Sequence, residues 1–174
     1  MLEAVAAALR REAQATNERR LLVLTGSPAT TRGAVADAID AAGISAAETT
    51  VVGPERLLPC ERLSLAQTGD LLGRTREAVV LDLHEACRPN ALGRAVGAVD
   101  GGGLLVVLTP PLDEWPSRRD EFDETLAVPP ATIVDVAGNF RTRLAEMLRI
   151  HPGIAIVDAG ERTVRRDGLT DPAP

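Results

Sequence analysis

The 174-residue sequence contains no lysine and no tyrosine, has two cysteines, and only 2% of it is aromatic. Each shortage closes off a class of function. Cys60 and Cys87 lie far apart, with no CxxC spacing and no histidine placed to complete a zinc site, so they read as reduced thiols and no metal is expected. No apolar run is long enough to cross a membrane and the stretch after Met1 lacks a signal-peptide pattern, which predicts a cytoplasmic protein with no membrane partner. All 19 basic residues are arginine; against 25 acidic ones they leave a net charge of −6 and a pI near 5.0. Contact with a nucleic acid would therefore be local and not an attraction of the whole domain. Arginine in place of lysine, with abundant alanine and valine, suggests a GC-rich genome, and the acidic excess suggests a high-salt cytoplasm.

What is plentiful is short aliphatic runs. Leu104 to Thr109 is apolar on both faces, follows the expected turn Asp100-Gly101-Gly102-Gly103 and is closed by Pro110-Pro111, the profile of a central strand in a parallel sheet. Similar runs occur at Arg20 to Thr25, Thr49 to Val52, Ala78 to Leu83 and Ile154 to Val157. Helical periodicity covers residues 2–16, about 30–42, 89–99 and 138–150, and a short helix is expected before Gly73. Alternation of this kind predicts the α/β class: a Rossmann-like three-layer α/β/α sandwich around a mostly parallel five-stranded sheet, with strand order 3-2-1-4-5. The domain would occupy residues 1–158, and the polar stretch 159–174 reads as a tail or the start of a linker.

The segment Gly26 to Gly33 (GSPATTRG) lies where a phosphate-binding loop would lie. It departs from GxxxxGK[ST] at Thr31, Arg32 and Gly33, so no intact nucleotide-binding loop is present and no cofactor is expected in this chain. An alternative site in the crevice at the carboxyl ends of the strands would use Gly26, Asp82, His84 and Asp113, with Asp82 imitating a magnesium-binding acid and His84 a general base. The structural reading of Asp82 is a capping residue at a strand end. His151, beside Pro152 at a helix end, suits the helix dipole. The carboxylates Asp113, Glu114, Asp120, Glu121, Asp123 and Glu124 have no spacing that fixes a shared geometry and read as a solvated loop. That loop, Pro110 to Pro130, is long enough to be functional, and Trp115 within it serves either as an anchor on the core or as a surface for a partner or a base. Candidate RNA-binding residues are Trp115 and the arginines Arg74, Arg76, Arg118, Arg119, Arg141 and Arg143, which could meet phosphates one by one or equally pair with carboxylates. Arg141 and Arg143 fall about 160° apart on a helical wheel of 3.6 residues per turn.

Three stretches carry a family resemblance: RRLLVLTG from Arg19 to Gly26; LLGRTREAVVLDLHEACRPNALGRAVGAVDGGGLLVVLTPPLDEW from Leu71 to Trp115; and FRTRLAEML with HPGIAIVD between Phe140 and Asp158. With them the chain resembles the N-terminal domain of the tRNA(Met) cytidine acetyltransferase (TmcA) family. The resemblance implies a domain preceding an ATP-dependent helicase-like module, an acetyltransferase module that uses acetyl-CoA, and a tRNA-binding tail. It implies N4-acetylcytidine in RNA as the product, with ATP, magnesium and acetyl-CoA all bound outside this chain. The expected role is a non-catalytic domain that packs on the helicase-like module and helps hold tRNA; the alternative is a stand-alone nucleotide or small-molecule binding protein.

Overall fold

Strands and helices alternate through residues 1–171, the part of the chain described by the computed structural model. Helix α1 (Leu2–Thr16) buries Leu2, Val5, Ala6, Leu9 and Ala13 and ends where Asn17 turns left-handed at φ 53°. After β1 (Arg20–Thr25), α2 (Pro28–Gly33) is capped by the Ser27 hydroxyl, which accepts from the Thr30 amide at 3.2 Å. Helix α3 (Val35–Ala41) follows across Ala34, so the single helix expected near 30–42 is two. Next come β2 (Thr49–Val52), β3 (Glu61–Leu63), a 3-10 turn at Leu65–Leu71, β4 (Arg76–Asp82) and α4 (Pro89–Ala98). Strand β5 (Val99–Thr109) then leads into a long excursion. It holds 3-10 turns at Trp115–Ser117 and Ile133–Asp135 on either side of α5 (Glu121–Leu126). Helix α6 (Asn139–Ile150), β6 (Ile154–Asp158) and β7 (Thr163–Arg166) complete the fold.

The sheet has seven strands in the order β3-β2-β4-β5-β1-β6-β7, parallel throughout except between β6 and β7. The α/β sandwich matches expectation; the strand count and order do not. The expected 3-2-1-4-5 order would put β1 beside β2, whereas β1 lies between β5 and β6 and β2 lies beside β4. Helices α2 and α3 carry the chain from β1 past two strands in one crossover. An apolar run shows that a strand is covered on both faces, but not which strand is its neighbour. The two unforeseen strands are the edges, three and four residues long, with Glu61, Arg62, Arg165 and Arg166 where central strands have aliphatics.

One face of the sheet packs Leu22, Leu24, Val80, Leu104 and Val106 against α1 and α3 through Leu9, Val35 and Ile39. The other packs Val23, Val79, Leu81, Leu105 and Val107 against α4 and α6, with Trp115 inserted among them. Each fully buried leucine contributes about 1.5–3 kcal/mol relative to leaving it in water.

The expected turn at Asp100 to Gly103 is instead a bulge inside β5. Register jumps from Arg76 opposite Val99 to Ala78 opposite Leu104. A Cβ on Gly103 would stand 2.7 Å from Val99 Cγ1 and 2.8 Å from Glu77 O, so close backbone approach demands glycine here.

The folded unit continues beyond Asp158, where the sequence suggested a tail. Strand β7 pairs with β6, and the Gly153 amide donates to Gly168 O at 2.9 Å. The Glu12 carboxylate accepts from the Thr170 amide and hydroxyl and from Arg20 Nε (2.9 Å). Burial pushes the Glu12 carboxyl up, but these donors outweigh it and hold it below its ordinary value. Residues 172–174 of the expected tail lie outside the described residues. Among the described residues no helix is long and apolar enough to cross a membrane.

Candidate functional site

Strand β1 sends the chain to α2 on one face of the sheet, and β5 sends it through Leu112 and Trp115 to the other. Their carboxyl ends are adjacent, so the crevice of the fold opens there, next to the end of β4. Of the four residues expected in this crevice, Asp82 and His84 are joined in one cluster through Arg32 and Thr31, whereas Gly26 and Asp113 line a neighbouring hollow together. Arg32 closes the cluster: its Nε donates to Asp82 Oδ2 at 2.7 Å and its Nη1 to Glu55 Oε1 at 2.7 Å. The remaining Asp82 oxygen, Oδ1, accepts from the His84 amide at 3.0 Å. Asp82 is 2% exposed, and Gly53 leaves room for it, since a Cβ there would lie 2.9 Å from Asp82 Cβ.

His84 Nε2 lies 2.8 Å from Thr31 Oγ1, and that hydroxyl also bonds Ser27 O at 3.0 Å within α2. Burial is the main force lowering the His84 pKa; Arg32 and Arg118 push the same way and the Asp82 charge opposes them. The ring is therefore held neutral near pH 7. With both Asp82 oxygens taken and the Thr31 hydroxyl bonded within its own helix, the cluster ties α2 to β4. No group of three or more potential metal ligands occurs among the described residues.

Asp113 stands apart from the Arg32–Asp82–His84 cluster, paired with Arg149 at 2.5 Å beside a crevice of about 560 Å³ that it shares with Gly26. That crevice is lined also by Thr25, Asp158, Arg165 and Arg166. Arg165 pairs with Glu161 and Asp158, while Arg166 donates to Leu148 O and Ile150 O at the end of α6. Sequence reasoning missed these three arginines. Two of them lie past Asp158, in the strand TVRR, whose single apolar residue gives no alternation to read.

The expected RNA-binding residues separate into two groups. Arg141 is buried: it holds Asp123 through two bonds of 2.9 and 2.6 Å and Asp120 at 2.5 Å, and Asp120 also accepts from the Cys87 amide at 2.7 Å. Burial alone would raise the Asp123 carboxyl, but bonding to Arg141 holds it low; burial pushes the Cys87 thiol up to about 12. Asp120 and Asp123 are thus structural and not part of a solvated loop. Trp115 is 1% exposed and anchors the excursion on the core. Arg119 is turned inward onto the carbonyls of Val136, Pro116 and Arg118, and Arg76 onto those of Ala47 and Thr49. Arg143 is exposed, and Arg74 and Arg118 sit in solvent-facing pairs with Glu61 and Glu114.

Residues 1–159 match the family model described as tRNA(Met) cytidine acetyltransferase TmcA, N-terminal. The chain is 59% identical over 170 residues to the tRNA(Met) cytidine acetyltransferase TmcA of Haloarcula marismortui, covering 98% of this chain and 22% of that protein. It is 54% identical over 167 residues to the Haloferax volcanii protein of the same name, covering 96% and 22%. With the Nitrosococcus halophilus protein it shares 32% over 162 residues, covering 90% and 21%. The chain spans about a fifth of the length of these relatives. Since the family match takes in every element from α1 through β6, the chain belongs to the TmcA N-terminal family.

Proposed function

We propose that this chain is the non-catalytic N-terminal domain of a cytoplasmic tRNA(Met) cytidine acetyltransferase, packing on the helicase-like module of the same polypeptide and assisting tRNA binding. On this reading N4-acetylcytidine formation, with its acetyl-CoA, ATP and magnesium, belongs to the helicase-like and acetyltransferase modules in the rest of the polypeptide.

The observation that carries the non-catalytic reading is the Arg32–Asp82 pair. Arg32 stands where the lysine of a phosphate-binding loop would stand in the sequence, and its guanidinium bonds one oxygen of the Asp82 carboxylate, which a magnesium ion would need. The residues present therefore do not fit ATP and magnesium. What remains for RNA is surface. Exposed ion pairs such as Arg74–Glu61 and Arg118–Glu114 are weak enough to exchange a carboxylate for a phosphate, and Arg143 is exposed beside them in kind.

Charge reversal at Arg74, Arg118 and Arg143 in the full-length enzyme tests the tRNA role. The expected result is weaker tRNA binding, with the salt dependence flattened by roughly one unit of slope per lost phosphate contact. Unchanged tRNA affinity and acetylation would sink it. The crevice of about 560 Å³ beside Asp113 and Arg149 favours a second reading, a small-ligand site, because its size suits one. A thermal-shift panel of nucleotides and coenzyme A separates the two, since a ligand at a hundred times its Kd adds about 2.7 kcal/mol of stability.

A further inference from the structure

We infer that the segment from Asp120 to Val136 is a docking finger for protein, not for RNA, and that its partner is an apolar patch rimmed by basic residues on the remaining part of the same long polypeptide. The inference rests on the reading of this chain as one portion of a larger acetyltransferase.

The base of the finger is fixed. Arg141 grips Asp120 and Asp123 from α6, Arg119 Nε donates to Val136 O at 2.8 Å, and Phe122 meets Phe140 edge to face at 6.3 Å between ring centroids. Between these clamps the chain holds apolar side chains out in water: Leu126 is 51% exposed, Val128 69% and Val134 84%. All three fall within residues 126–134, and exposed apolar side chains concentrated in one stretch of chain mark an interaction surface more than scattered residues do. On the base side of the finger, helix α5 forms one wall of a mixed groove of about 870 Å³ whose other walls include Leu65, Pro89 and Ala91 together with Arg88 and Arg94.

Charge then selects the partner. From Asp120 to Val136 there are five carboxylates and no basic residue. Arg141 is shared between two of them and Arg88 pairs with Glu121, which leaves Glu124 and Asp135 facing outward beside the exposed apolar groups. Such a rim repels phosphate and suits lysine or arginine across an interface. A second copy of this chain docking symmetrically would set acid against acid, which disfavours self-association. The matched relatives carry roughly four-fifths of their length outside the region this chain covers, so partner surface in the same polypeptide is ample.

The test uses the full-length enzyme. Val128→Cys and Val134→Cys are made singly in a Cys60→Ser background and labelled with a maleimide, and modification is read peptide by peptide by mass spectrometry. Asp37→Cys, on the exposed side of α3, is the control. Val128 and Val134 are mostly in water, so neither change should disturb folding. The expected result is labelling at least about tenfold slower at both finger positions than at the control, without tRNA and independent of protein concentration. Labelling as fast as the control overturns the inference. So does protection that appears only when tRNA is added, which would mean an RNA surface, or protection lost on dilution, which would mean a second copy. A finger that labels freely while the arginine reversals still weaken tRNA binding would sink this inference alone; a protected finger with unchanged tRNA binding would sink only the tRNA role.

Discussion

Arg32 Nε lies 2.7 Å from Asp82 Oδ2, joining two residues 50 positions apart in the sequence. They stand at the two places where a nucleotide hydrolase keeps its phosphate-reaching lysine and its magnesium-binding acid. In this fold the two charges answer each other.

Removing both partners should cost less than the two single removals added together. Asp82→Ala leaves the Arg32 guanidinium, 14% exposed, with only Glu55 as a partner, and is expected to cost about 3 kcal/mol, the lower end for breaking a buried pair. Arg32→Met combined with Asp82→Leu should cost less than the sum of the single changes. Urea denaturation of the 174-residue chain measures both; strict additivity would show that the pair is not coupled.

Arg141 and Arg143, two residues apart, should behave oppositely. Arg141→Met strands Asp120 and Asp123 and is expected to cost about 3–5 kcal/mol, because a buried ionic network loses its only cation. For a chain of this length that lowers the Tm by at least about 6 °C. Arg143→Glu is on the surface and should stay within about 0.5 kcal/mol. Loss of tRNA binding in an Arg141 variant would report misfolding, so only Arg143 is informative about RNA.

His84 makes stability depend on pH in a narrow window. Burial lowers its pKa from the ordinary 6.5, so the unfolded chain binds the proton more readily than the folded one. Its contribution is whole above about pH 6.5 and is lost as pH falls from there toward the folded value. In His84→Gln, denaturant midpoints followed from pH 7.5 to 5.5 should lose that slope. Glu12 and Asp123, held low in the fold, keep a separate slope in the acid range, below the ordinary carboxyl values.

The acidic excess should make folding salt-dependent. A net charge of −6 repels itself, and ions screen that repulsion, so the Tm is expected to rise with potassium chloride from low to molar concentration. Circular dichroism across the series checks this, and a flat profile would remove the inference of a high-salt cytoplasm.

The central strands were legible because burial on both faces writes itself as uninterrupted aliphatics, as in Leu104 to Leu108. Strand order was not, since the crossover that places β2 beside β4 leaves no mark on either strand. The edges were hidden because β3 and β7 are short and charged. At the site, the failed phosphate loop was readable from Thr31, Arg32 and Gly33, but the reason Arg32 stands there is a contact with Asp82 that no local pattern encodes. Arg141 looked like any arginine flanking an apolar stripe. Asp120 and Asp123 read as part of a solvated loop, and neither the capping box they form nor the cation arriving from α6 was foreseen.

Arg141, Asp120 and Asp123 also restrict how this domain can evolve. A change at any one of them leaves charge unanswered in the interior, so a lineage cannot drift away from the triad by single neutral steps. The three positions, with Arg141 18 and 21 residues from the two aspartates, should be inherited as a block and exchanged together or not at all. Aligned relatives would then show the base of the finger as correlated columns, while the side chains at its tip remain free to follow whatever surface they meet.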